Sequence, residues 1–258
     1  MTMTDSQFIF SLITGIFVGG AAGYLGSLMV AKRMALVGDA LGHVALPGVA
    51  LALLYNINVV IGALATLFIG ILLIWLFKTK TELYMEALVG VVFAVSLAFA
   101  FLILSHEELE EALIGDITKV GGWETLISIV LVLAIFYIVR KIFPKMILAT
   151  LSEDLAMSQK INVRKYDFIY LMVVGIIVAL GIKVTGSLLI GALVVIPPAA
   201  ARNFSRTLRQ YSYAGMVIGV ISCLLGIMIY KIVGLPAGPI IILTSAAIFL
   251  ISLIFRRK

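Results

Sequence analysis

Charge is what this 258-residue chain has least of: Asp, Glu, Lys and Arg make up 12% of it, while 63% is hydrophobic. An average soluble domain is about a quarter charged and about half apolar. A chain so poor in charge has no surface to offer water, so its solvent is lipid. A single cysteine, Cys223, excludes an internal disulfide. The only histidines, His43 and His106, cannot share one helix turn, and no H-E-x-x-H occurs. There is no G-x-x-x-x-G-K-[ST] phosphate loop either, so any ATP chemistry belongs to another chain. With no catalytic constellation in sight, an intramembrane enzyme is set aside. No basic n-region precedes the first apolar run, which predicts a retained first span rather than a cleaved signal. The formal charge of +6 does not indicate nucleic acid, because the basic residues fall in short clusters between apolar runs.

Apolar runs are what the chain does have. They fall at 8–30, 34–55, 59–77, 84–104, 123–143, 168–182, 187–201, 212–230 and 239–255. A helical span takes about 20 residues, and backbone polar groups in lipid must be bonded within their own segment. The predicted fold is all-α: a polytopic membrane bundle of about nine helices, forming one transmembrane domain over 1–258. Several runs are short, and Pro47, Pro197 and Pro198 lie inside or at the end of them. Broken helices are therefore expected, which protein or an aqueous cavity must cover. Glycines four apart, at Gly15/Gly19, Gly19/Gly23, Gly38/Gly42 and Gly215/Gly219, predict close helix contacts.

Threading nine runs through a membrane puts 16 of the 19 basic residues on one side; only Lys119, Lys183 and Lys231 fall on the other. The basic side is cytoplasmic by the positive-inside rule. That predicts an outer N-terminus and a cytoplasmic C-terminus. The longest cytoplasmic connection is read as 144–167. Within it Ser152, followed by Glu153 and Asp154, is a helix-start signal, because a hydroxyl caps free N–H groups and carboxylates suit the positive helix end. Either a short helix at the inner membrane surface or a solvated loop fits this composition.

The most informative segment is 38–52. Asp39 and His43 are four apart, hence on one helix face. Counted from the start of its run, His43 lies about 14 Å deep, roughly mid-bilayer. An ionisable pair at that depth is costly and is a functional candidate by default. A carboxylate with a neutral imidazole suits Zn2+ or Mn2+. Two ligands hold a metal weakly, as a conduit requires. The competing reading is an Asp–His hydrogen bond that stiffens a broken helix. Glu86, at the inner end of its run, is a further candidate ligand, against a capping or packing role. His106 with Glu107, Glu108, Glu110 and Glu111 forms the most conspicuous charge run, able to gather cations or simply to be solvated.

Asp39-Ala40-Leu41-Gly42-His43-Val44-Ala45-Leu46-Pro47-Gly48-Val49-Ala50 closely resembles the D-A-L-x-H-x-x-L-P-G-x-A signature of the permease subunits of bacterial ABC transporters for zinc, manganese and iron. Further similarities follow in the same order: Glu86 to Gly90, Leu113-Ile114-Gly115-Asp116, Thr185 to Leu189 through Ile196-Pro197-Pro198-Ala199-Ala200-Ala201-Arg202, and Leu235-Pro236-Ala237-Gly238-Pro239. Together they cover nearly the whole chain. The resemblance implies a transport subunit of the bacterial cytoplasmic membrane rather than an enzyme. It also implies a second permease copy or a paralogue, cytoplasmic ATP-binding subunits that hold ATP and Mg2+, and an extracellular metal-binding protein. Metal would be cargo, Zn2+ or Mn2+, with no permanently bound cofactor. By the same resemblance segment 152–163, including Ser152, Glu153, Asp154, Ala156, Lys160 and Val163, docks on the ATPase. Gly38, Pro47, Gly48, Gly186, Pro197 and Pro198 would break or pack helices. Two departures stand out: Lys160 replaces a usual glycine, and a proline pair stands where one is usual. A permease for iron-chelate or cobalamin cargo and a stand-alone metal carrier are the alternatives.

Overall fold

A computed structural model describes residues 4–104 and 112–255. Among them are eleven α-helices: α1 (Asp5–Ala31), α2 (Ala35–Val44), α3 (Leu46–Leu54), α4 (Val59–Lys80), α5 (Met85–Ile103), α6 (Gly122–Leu151), α7 (Glu153–Ser158), α8 (Val163–Thr185), α9 (Ile190–Arg202), α10 (Leu208–Val233) and α11 (Ala237–Ser252). No strand occurs among the described residues. Eight spans are long and apolar enough to cross a membrane, with α2 and α3 together making one of them. The predicted run at 187–201 is α9, which has only 13 residues. At about 1.5 Å per residue it covers about 20 Å of a core about 30 Å thick. Residues 186–189 fill the remainder as non-helical chain. Their polar groups are met by protein: the N–H groups of Ser187 and Leu188 donate to the carbonyls of Ala112 and Leu113, both at 3.2 Å.

Close helix contacts form at the glycines whose spacing predicts them. A Cβ on Gly23 of α1 would lie 2.1 Å from the Gly215 carbonyl oxygen of α10, and one on Gly219 would lie 2.1 Å from that of Gly19. The two backbones touch, and in lipid such packing holds helices together. Cys223, fully buried, sits against the same face of α1. Pro197 and Pro198 stay inside α9 and are buried. Lacking N–H groups, they release the carbonyls four residues back, at Leu193 and Val194. The Val194 oxygen rests on Gly26 of α1, where a Cβ would come within 1.7 Å, and Pro198 lies between Gly26 and Gly215. The proline pair thus shapes the α1–α9–α10 contact.

Ion pairs close the two ends. Lys32 pairs with Asp167, joining the end of α1 to the start of α8. At the opposite end Lys183 pairs with Glu124, and Lys231 approaches Asp5 at 3.6 Å. Lys183 and Lys231 thus share one end and Lys32 lies at the other, as the charge pattern predicts for these three.

Two local features differ from expectation. The run expected to stop at Phe143 continues through Pro144 to Leu151, so the connection at 144–167 shrinks to α7 and its turns. Proline costs α6 one hydrogen bond, near a helix end where water can replace it. Lys160 meanwhile keeps the turn that a glycine would make. It takes φ 57°, and the N–H of Ile161 bonds to the Ala156 carbonyl at 3.0 Å, closing a left-handed helix stop. Arg33 and Asn56 end α1 and α3 in the same way, at φ 60° and 53°.

Candidate functional site

Pro47 decides where α2 ends. It has no N–H to give the His43 carbonyl four residues back, and the helix ends at Val44, one residue past His43. The chain restarts with the N–H groups of Gly48 and Val49 both donating to the Ala45 carbonyl, at 3.0 and 3.1 Å. Gly48 lies backbone to backbone on Gly62 of α4, with 2.0 Å between a Gly48 Cβ and the Gly62 oxygen. The break is therefore covered by protein, as irregular backbone in a membrane must be.

His43 is 9% exposed and packs edge-on against Phe93 of α5, with centroids 5.1 Å apart. Its Nδ1 is buried without a hydrogen-bond partner. Asp39, one turn earlier on the same face, is exposed on this single chain. The Asp39 carboxylate lies over the first turn of α9: a Cβ on Gly191 would come within 2.6 Å of its Oδ1. The N-terminal end of a helix is electropositive and suits a carboxylate. No hydrogen bond joins Asp39 to His43, so the pair does not stiffen the break in that way.

Among the described residues no group of three or more His, Cys, Asp or Glu is placed to hold a metal. Glu86 stands exposed in the first turn of α5 and does not join Asp39 and His43 in such a group. The charge run of His106, Glu107, Glu108, Glu110 and Glu111 lies outside the described residues. Gly38 packs on Met29 and Val194, while Gly42 meets the Ser187 carbonyl. Gly186 adopts φ 83° with the Leu113 carbonyl 2.0 Å from a would-be Cβ, so only glycine fits there.

At the other end of the molecule the hydroxyl of Ser152 accepts the Leu155 N–H at 3.3 Å and starts α7, as its sequence predicts. Glu153 opens that helix, and Ala156 within it is fully buried. Asp154 and the apolar Leu155 and Met157 are exposed. Val163 begins α8, capped by Asn162, whose side chain accepts the Lys165 N–H at 3.0 Å.

Three contributors escaped sequence reasoning. Gly191 and Phe93 carry no signal of their own, since each matters only through what packs on it. The third is Glu124, which accepts from Asn58 at 3.1 Å and from Lys183, tying α6, α8 and the start of α4 together. A lone lysine in an apolar run was the clue to a partner.

The ABC 3 transport family matches residues 5–256. The chain belongs to that family. As a member of the ABC 3 transport family it shares 28% identity over 252 residues with the manganese import system permease protein ScaB of Streptococcus gordonii, covering 96% of this chain and 91% of that protein. It is 29% identical to the high-affinity zinc uptake system membrane protein ZnuB of Buchnera aphidicola, over 95% of this chain and 96% of that protein. The solved structure of PsaBC from Streptococcus pneumoniae in complex with Fab superposes with a TM-score of 0.82 at 27% identity, covering 94% of this chain and 89% of that one. This ABC 3 transport chain is thus a multi-pass membrane protein whose Asp39–His43 pair lies beside a protein-covered helix break.

Proposed function

We propose that this chain is the membrane-spanning permease subunit of an ABC importer for a divalent transition metal, Zn2+ or Mn2+. One observation carries the reading: the buried His43 Nδ1 has no partner, one helix turn from the Asp39 carboxylate, at a break near mid-span. An unpaired polar atom in lipid costs free energy, and a passing cation offsets that cost. The manganese and zinc relatives support metal cargo over an iron chelate, which would not need such a pair.

Two ligands bind a metal weakly, and a second copy of the chain would raise the number to the four that Zn2+ favours. The outer face of α5 supports such a dimer. Gly90, Ala94 and Ala98 stand exposed at four-residue spacing, and a Cβ on Gly90 would meet nothing within 4 Å. Faces of small residues are where helices associate in lipid. α5 also packs beside α2, so pairing there brings two Asp39–His43 pairs toward one axis.

The basic end faces the cytoplasm, with the N-terminus outside and the C-terminus inside. There the exposed Leu155 and Met157 of α7 dock on a separate ATPase, which binds ATP and Mg2+ and performs all the hydrolysis. An extracellular metal-binding protein delivers cargo at the opposite end. ATP-driven closure of the ATPases shifts the spans between outward and inward states, and Ser152 and Val163 bound the segment that transmits it.

His43→Ala and Asp39→Ala should each abolish metal-dependent growth and labelled Zn2+ or Mn2+ uptake while the ATPase still co-purifies. Normal uptake in both variants would sink the proposed site.

A further inference from the structure

At the basic end of the bundle a cavity of about 440 Å³ lies between the ends of α1, α6 and α9 and the first turn of α10. Arg33, Arg202 and Arg206 line it, together with Ser205, Thr207 and Tyr211, and among the described residues no carboxylate does. Among the described residues none of the three guanidinium groups joins an ion pair, since those pairs use Lys32, Lys183 and Lys231. Three like charges around one space repel each other until an anion joins them. Tyr211 is 7% exposed, and its hydroxyl is buried with no hydrogen-bond partner. Arg33 occupies a left-handed position that glycine would fill with less strain. At the rim stand Leu151, 77% exposed, and Leu208, 44% exposed, which give an acyl chain an apolar surface.

We propose that this cavity binds the phosphate of an anionic phospholipid headgroup from the leaflet at the basic end. Arginine suits a phosphate because its planar fork matches two oxygens at once. Basic pockets between spans are where anionic headgroups lodge. The apolar rim favours a lipid over free phosphate, although both carry the same recognised group. Occupation would reach beyond the headgroup. Ile147, Thr150 and Leu151 line the cavity, and the next residue, Ser152, caps α7. A bound lipid therefore steadies the chain between α6 and α7, independently of which metal crosses.

The test uses the permease co-purified with its ATPase in detergent. It is titrated with short-chain phosphatidylglycerol, phosphatidylcholine of the same chain length, or inorganic phosphate, and bound molecules are counted by native mass spectrometry. Phosphatidylglycerol should bind about tenfold more tightly than phosphatidylcholine, with Arg202→Gln and Arg206→Gln each weakening it about fivefold. Arg33→Gly should weaken it similarly while the thermal midpoint holds or rises, because glycine suits that backbone. That variant separates lost binding from lost folding. Tyr211→Phe should lower affinity for phosphatidylglycerol and leave phosphatidylcholine unchanged. Equal binding of the two lipids, or arginine variants that bind like the parent, overturns the proposal. Displacement by inorganic phosphate at matched concentration reassigns the cavity to a free anion. Loss of the ATPase with lipid affinity intact assigns the arginines to docking, and overturns it too.

Discussion

The inner and outer helices of this bundle solve different problems. In α1, the α2–α3 span and α8, between 61% and 72% of the apolar window is buried, whereas in α4, α5, α6 and α11 the share is 22–28%. The outer helices present large side chains to lipid, among them Ile61, Ile69, Phe99 and Leu133. α1 and α2 instead carry glycines and hydroxyls at their contacts, and α2 holds Asp39 and His43. In water the most apolar segments go inside. In lipid the solvent is itself apolar, so small and polar residues take the interior and packing decides the contact. The least lipid-like span is the one that carries Asp39 and His43.

Several substitutions would break or sharpen this contrast. The largest effect belongs to glycine-to-leucine changes on the two sides. Gly219→Leu drives a side chain into the Gly19 backbone and should cost about 3 kcal/mol or more, leaving little folded protein in size-exclusion chromatography. Gly90→Leu enters open space on α5, so the protomer should fold normally while dimerisation fails. If both behaved alike, the distinction between buried and paired faces would collapse. A smaller effect is expected at the ends. Lys183→Met leaves Glu124 without its charged partner in a site where the two side chains are 15% and 22% exposed. It should lower stability by about 1–3 kcal/mol in thermal unfolding, and Glu124→Gln in the same chain should restore part of the loss. The smallest effect is a gain. Lys160→Gly relieves a left-handed backbone and should stabilise the chain by at most about 1 kcal/mol, with uptake unchanged.

The helices, their charged ends and the Asp39–His43 face were legible in the sequence because each rests on local pattern. Run length reports a span, four-residue spacing reports a shared face, and serine before acids reports the start of α7. Even the α1–α10 contact was foreshadowed by Gly19/Gly23 and Gly215/Gly219, although nothing local said that these two helices would meet. Where local rules compete, sequence is a poorer guide. Pro144 looked like a boundary, yet the 30-residue α6 absorbs it, since one lost hydrogen bond is small beside the burial along the helix. The seat of Asp39 on Gly191, the ring contact of His43 with Phe93 and the gathering of three arginines around one cavity join residues far apart in the chain. Such contacts follow from packing, and one sequence does not display them.

The seclusion of Cys223 has a practical side. A thiol with no accessible surface, pressed against Gly19, is out of reach of maleimides and spin labels. A cysteine introduced at Ala94 or Leu155 would then be the sole reactive thiol on this chain with its native cysteine left in place. Crosslinking across α5 and distance measurements from α7 can therefore be made on an otherwise unaltered protein.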